Sequence, residues 1–463
     1  MRDKQLWPRL LLAALFAALI FAFIESTPRH GSHPLEAFVT YYCGGTAVRA
    51  GVDPYATASV LGCEQRNEPG ILPADVAEPA VLPPFALAAF SVFALLPYHV
   101  AGMLFLALSR GALLGAAVAV ARVTGLRTVV PFGAFAYLCG FVNLSFGEIV
   151  PIVLFGLCFA GWALTRERYV AVAVGLALAL LEPNVAVPAA LAVFVREGKM
   201  RLPLAILAAA AILASCALGP QSLWHYVHDV LPLHAWAEIS AVDQYSSTWI
   251  AHWLGAPDRL ALTLGSAFSL LGWIVGVAVA IRVADRLRAP AALVYVPVAF
   301  ALVLPLFVHD LQLPLGIPAA LLIACRGRQR ALAWTGVVLS AFPWAPGYFW
   351  HPTYPLLLFA VIAVALGAIV SRQERVAFAA ALIVAYAAID RLLSGAHRLI
   401  ASSDATTTVP RDADPALASL GWGEYLWAGS RELTLGLLAG KLLSFAGPLA
   451  VAAAAILELR DPD

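Results

Sequence analysis

Acid–base or phosphate chemistry in this 463-residue chain can come from a few side chains that stand where apolar runs begin or end. Glu36 lies early in the stretch HPLEAFVTYYCGGTAVRAGVDPYATASVLGCEQRNEP. A carboxylate at a membrane surface can take the proton of an acceptor hydroxyl; a solvated loop acid is the alternative. Glu148, in NLSFGEIVP, and Glu182, in LALALLEPNVAVPAAL, each stand between apolar segments. An ionised carboxylate at membrane depth is costly and usually functional. Glu182 is therefore either such an acid or an interfacial residue capping the helix after Pro183, and Glu148 has the same ambiguity. His309-Asp310 ends one apolar run and begins the next. The imidazole can donate to a phosphate oxygen with Asp310 orienting the ring, or Asp310 simply caps a helix. Gly51-Val52-Asp53-Pro54-Tyr55 reads as a turn, because Gly frees the backbone and Pro keeps Asp53 out of the helical region. His225 and His228 share a helix face, which permits metal binding. No acid completes a metal motif there, and Trp224, Trp236, Trp249 and Trp253 favour an interfacial helix.

What must position these residues is a set of helices in lipid. The chain is 62% hydrophobic and 12% charged, against roughly 45–50% apolar and about 25% charged in soluble domains. No soluble core could hide that much apolar surface. The net charge of +1 offers nothing to a nucleic acid, and the six cysteines are too scattered for a disulfide scaffold or zinc cluster. Cys43 and Cys63 are the pair outside apolar helices on one side; an oxidising compartment would join them, and two free thiols are the alternative. Walker, Rossmann, GxSxG and HExxH signatures are absent from the sequence, so no cofactor is expected and no metal is indicated.

A spanning helix needs about 20 apolar residues. Candidate spans are 9–24, 82–97, 100–121, 128–142, 150–164, 169–181, 184–195, 202–218, 260–281, 290–308, 312–325, 331–345, 355–370, 376–390 and 434–457. The basic MRDKQLWPR before 9–24 has no cleavage site after it, so 9–24 reads as a retained first helix. The expectation is an all-α, polytopic transmembrane bundle of about 11 to 14 spans, one integral membrane domain over 1–463. Short basic connectors stay cytoplasmic. Arg166/Arg168, Arg196/Lys199/Arg201, Arg282/Arg286/Arg288, Arg326/Arg328/Arg330 and Arg372/Arg375 fall on one side with the N-terminus. Loops 25–80, 219–259 and 391–432 fall on the other, together with 343–354, Glu148, Glu182 and His309-Asp310. The helix at 34–50 is expected near that interface. Arg122 and Arg127 break the pattern if both 82–97 and 100–121 span; one of the two being re-entrant would remove the conflict.

The run Tyr41-Tyr42, Arg49-Ala50-Gly51, Asp53-Pro54-Tyr55 and Leu82-Pro83-Pro84 resembles glycosyltransferase family 87. So do Asn143-Leu144-Ser145-Phe146-Gly147-Glu148, Glu182-Pro183, Gln244-Tyr245-Ser246-Ser247-Thr248 and His309-Asp310, over roughly residues 30–330. Where family members often show Gly-Gln or Gly-Asn this chain has Gly147-Glu148, and where many have Lys-Pro it has Glu182-Pro183. The resemblance implies a class C membrane fold in a bacterial inner membrane. It implies transfer of a hexose, mannose in the family's best-known members, from a polyprenyl-phosphate sugar to an extracytoplasmic lipid or glycan acceptor. It also implies a first-loop acid acting as base, usually Asp, for which Glu36 is the nearest residue here. Arg49, Asp53, Tyr55, Glu148, Glu182, His309 and Asp310 are then the expected substrate-binding residues, with Arg391 and Arg398 as further candidate cations. A secondary transporter or lipid flippase is the competing reading, since broken helices such as that at Glu182-Pro183 also build transport sites; a non-catalytic envelope scaffold is a third.

Overall fold

The computed structural model describes residues 35–341 and 435–460, except 69–76, 78–79, 137–142, 218–219, 238, 240–243 and 307. The expected spans 9–24, 355–370 and 376–390, the loops 343–354 and 391–432, and Arg391 and Arg398 lie outside the described residues.

The described residues are all-α. In chain order the helices are α1 (Glu36–Ala50), α2 (Thr57–Asn67), α3 (Pro84–Phe90), α4 (Tyr98–Thr124), α5 (Val129–Ala136), α6 (Val150–Leu164), α7 (Tyr169–Ala179) and α8 (Pro183–Arg196). They continue as α9 (Arg201–Ala217), α10 (Pro220–His225), α11 (Leu231–Ala237), α12 (Ser247–Trp253), α13 (Asp258–Arg286), α14 (Ala292–Val303), α15 (Ile317–Arg326), α16 (Arg330–Ser340) and α17 (Leu435–Arg460). Helix α14 is the axis of the bundle. All twelve of its residues are buried, as expected of a helix apolar on every side, and α6, α8, α13, α15 and α17 pack around it.

The outer helices expose what α14 hides. Met103 on α4 is 59% exposed, Leu213 on α9 68% and Ile274 on α13 60%. Such surfaces are untenable in water and natural in lipid. Three helical runs, Tyr98–Thr124, Gly198–Ala217 and Asp258–Arg286, are long and apolar enough to cross a membrane. Close contacts between small residues hold the shorter apolar helices together. A Cβ on Gly175 of α7 would come within 2.7 Å of the Gly156 carbonyl of α6, so the two backbones touch. Gly161 opens the slot for Tyr295, whose hydroxyl donates to the Cys158 carbonyl at 3.0 Å.

The 82–97 segment is interrupted. It forms α3 and, after a break at Ser91, a single 3-10 turn Phe93–Leu95. The run Pro84–Leu95 is at most about 18 Å long, short of a ~30 Å hydrocarbon layer. Tyr55 Oη holds the Leu82 carbonyl at 2.7 Å and Tyr42 Oη the Leu96 carbonyl at 2.9 Å, so both ends of this short run are tied to the α1 side and α4 is the helix of the pair long enough to cross. Arg326 Nη2 donates to the Val123 carbonyl at 2.8 Å, which fixes the end of α4, with Arg122, on the face of the other basic connectors. Further contacts close that face: Arg196 pairs with Asp285 at 2.6 Å, and Arg168 lies over the Trp162 ring. The buried Glu458 of α17 accepts from the backbone N–H of Arg328 (2.8 Å) and Gln329 (3.2 Å).

Candidate functional site

At the opposite end, helix breaks gather polar side chains. Helix α1 is buried on most sides: Phe38 stacks on Phe105 at 4.7 Å and meets Phe93 edge-on at 5.9 Å. Its first turn leans on the Gly147 turn, where a Cβ would lie 2.9 Å from Phe38 Cβ and 3.1 Å from Leu35 Cα. With φ at +73°, Gly147 is required twice over, by conformation and by approach. That turn presents Glu148, and Tyr41 Oη donates to Glu148 Oε2 at 2.9 Å. Glu36 opens α1 beside this turn; its side chain lies outside the described residues.

His309 is positioned by a short extended stretch between α14 and a 3-10 helix, Asp310–Gly316. Gln244 bridges antiparallel to His309, and Tyr245 N donates to the Val308 carbonyl at 2.9 Å. Ser247 and Thr248 donate to the Pro305 (2.8 Å) and Leu306 (2.6 Å) carbonyls. Unwound backbone inside an apolar bundle must find partners within the protein, and the Gln-Tyr-Ser-Ser-Thr run supplies them. The Gln312 amide oxygen accepts from His309 N–H at 3.2 Å, and Asn143 Nδ2 donates to the Leu311 carbonyl at 3.0 Å. The side chain of Asp310 lies outside the described residues.

Glu182 stands at the break between α7 and α8, half-buried. Burial pushes its carboxyl up to about 7; Glu148 pushes the same way, while a hydrogen bond from Gln312 and the histidines His309 and His234 pull it back. Tyr226, itself raised by burial, also interacts with Glu182. The group thus unites Tyr41, Glu148, Glu182, His234, His309 and Gln312 from well-separated parts of the chain. A carboxylate poised near neutral pH beside a second carboxylate and two imidazoles can exchange a proton with a bound hydroxyl and hold an anion.

The remaining expected residues stand nearby or apart. Asp53 Oδ1 accepts from Tyr55 N at 3.0 Å, and its Oδ2 meets His225 Nδ1 at 2.9 Å. Tyr55 is buried, its hydroxyl donating to the Leu82 carbonyl at 2.7 Å. Arg49 is exposed and donates to the Ala94 carbonyl, on the 3-10 turn rather than in the cluster. Cys43 and Cys63 form a disulfide with Cα atoms 5.6 Å apart. His225 and His228 pair with Asp53 and Asp229, and no group of three or more potential metal ligands occurs among the described residues. Gln312 was not singled out from sequence. Its one signal is the spacing His309-x-x-Gln312, a capping box with histidine in the serine position.

Residues 81–309 match the family model described as Glycosyltransferase family 87. The chain belongs to glycosyltransferase family 87. It is a membrane glycosyltransferase. The matched segment carries Glu148, Glu182, His234 and His309, while Tyr41 and Asp53 precede it and Gln312 follows it by three residues. No curated protein and no solved structure matches the chain.

Proposed function

We propose that this family 87 enzyme transfers a hexose, mannose on the family likeness, from a polyprenyl-phosphate sugar to an extracytoplasmic lipid or glycan acceptor at the Glu148–Glu182–His309 cluster. The observation that supports this reading is the meeting of two carboxylates and two histidines at the helix breaks of a lipid-facing bundle. The basic face lies in the cytoplasm by the positive-inside rule, with the N-terminus there, and the cluster faces the far leaflet of a bacterial inner membrane. A polyprenyl-linked donor in that leaflet carries its anomeric carbon at this depth.

In the reaction the acceptor oxygen attacks the anomeric carbon as the bond from that carbon to the phosphate oxygen breaks. Polyprenyl phosphate leaves with the electron pair, and the acceptor proton passes to a carboxylate. The leaving group is already anionic and needs no proton, so the site requires one base and donors for the phosphate. Glu36 is the base by family likeness, opening α1 beside the Glu148 turn. His309 and His234 hold phosphate oxygens, and Asp53 and Tyr55 fix the loop that closes the donor's side. A second assignment of the base, Glu182, is favoured by its carboxyl standing at about 7. The test is release of polyprenyl phosphate from labelled polyprenyl-phosphate mannose by purified enzyme in proteoliposomes. Glu36→Gln is expected to abolish release. Full turnover in Glu36→Gln with loss in Glu182→Gln moves the base to Glu182. Movement of intact labelled lipid across the bilayer without cleavage overturns the reading.

A further inference from the structure

We propose that Asp53 and His225 form a clasp that holds the 220–237 segment, and with it His234, over the Glu182 cluster, which makes both of them positioning residues. The proposal rests on the transferase reading above for what is positioned.

The two halves of the clasp come from connectors far apart in sequence, joined by the Asp53–His225 pair and by ring contacts of Tyr55 with His225 and Tyr226. On one side the Asp53 turn is held in place several times over. Gly51 turns the chain at φ +70° with its N–H on the Val48 carbonyl. Asp53 Oδ1 accepts from Tyr55 N, Tyr55 Oη donates to Leu82, and the Cys43–Cys63 disulfide ties α1 to α2 across the turn. That leaves Asp53 Oδ2 pointing outward, where it meets His225 Nδ1 at 2.9 Å.

On the other side His225 ends α10 and leads into a π-helical turn, Tyr226–Val230, which runs directly into α11 and His234. A π turn sets the following helix in a different register from an α turn and is often found at functional sites. The Tyr226 ring lies 5.6 Å from the Tyr55 ring, and the His225 ring stands edge-on to Tyr55 at 6.2 Å. Tyr226 also interacts with Glu182. The clasp therefore sits at the pivot of the element that delivers His234. The charged and titratable groups facing His225 are Asp53 at 2.9 Å, Asp229 of its own turn at 3.9 Å, and Tyr55. On the same segment Trp224 and Val227 are exposed, while Tyr226 and Val230 are buried.

Both clasp side chains are more than one-third exposed, His225 by 37% and Asp53 by 38%. A pair of that kind shifts an equilibrium by about five-fold at most, which suits a positioning contact. His225→Phe keeps a ring against Tyr55 and removes the donor; His225→Gln keeps a donor towards Asp53. The experiment measures kcat and KM for release of polyprenyl phosphate, and deuterium uptake over 220–237, with uptake in α13 and α14 as the folding control. His225→Phe is expected to lower kcat about two- to five-fold with KM unchanged, and to raise uptake over 220–237 alone; His225→Gln restores both. Unchanged uptake and kcat in His225→Phe overturn the clasp, as does equal loss in His225→Gln. Raised uptake in an enzyme that shows no turnover with any polyprenyl-phosphate sugar upholds the clasp and overturns the transferase reading instead.

Discussion

Replacing Glu182 by glutamine removes a carboxyl that burial brings close to neutral pH. With its protonation midpoint at about 7, about one molecule in eleven carries it ionised at pH 6 and about ten in eleven at pH 8. If the ionised form takes the acceptor proton, kcat rises about ten-fold across that interval. A base with an ordinary carboxylate value places the rise near pH 4–5 and leaves pH 6–8 flat. The same protonation has a stability consequence of definite sign. The folded-state value lies above the ordinary 4.5, so the folded protein binds the proton more tightly than the unfolded chain. Stability is full below that ordinary value and falls as pH rises through about 7, by no more than about 3 kcal/mol. Initial rates of polyprenyl-phosphate release and unfolding midpoints in detergent, both between pH 5.5 and 8.5, read the two effects. The Gln variant should lose the rate limb near pH 7 and flatten the stability slope. A Gln variant with the wild-type limb at the same midpoint refutes the assignment of that proton to Glu182.

Glu458→Ala leaves the Arg328 and Gln329 N–H groups and the Arg286 guanidinium, 4.0 Å from Glu458, without their buried carboxylate. It should destabilise the protein by about 3–5 kcal/mol, read as a lower unfolding midpoint in detergent. Cys43→Ser opens a 20-residue loop and should cost about 3 kcal/mol in the chain-entropy account, while the same protein treated with reductant should match it. A cysteine placed at Arg127 should react with a membrane-impermeant reagent from the same side as one at Gln329; labelling from opposite sides contradicts the re-entrant reading of 82–97.

Composition and hydropathy carried the fold class, because lipid solvation acts on every residue and leaves a signal averaged over the whole chain. The family was carried by the ordered motifs from Tyr41-Tyr42 to His309-Asp310. Hydropathy did not reveal where Pro84–Leu95 is broken. The break falls at Ser91, with Phe90 and Phe93 packing against Phe105 and Phe38. A window average sees apolar residues on both sides of the break and nothing between. The site was legible as separate residues rather than as a group. Glu148, Glu182 and His309 stood out because charge beside apolar runs is conspicuous. Their partners did not: Tyr41 reaches Glu148 across 107 residues, and Asn143 reaches Leu311 across 168. Gln312 is polar, common and unremarked until the backbone places it between His309 and Glu182.

The cluster and the helix breaks have one cause. A bundle in lipid has to satisfy every unwound N–H and carbonyl internally, so breaks are stable only where polar side chains already stand. The stretch after α14, the Asn143–Gly147 turn and the Glu182-Pro183 junction come together and supply one another's partners through Gln244, Ser247, Thr248, Asn143 and Gln312. The same side chains that make the interruption affordable also aim two carboxylates and two histidines at one place. Sites of this kind should therefore be more sensitive to loss of a neutral amide than charge alone suggests. Asn143, whose Nδ2 holds the 3-10 helix that carries Gln312, stands beyond the ionisable group, yet its removal would release the Glu148 turn and the Gln312 bridge together.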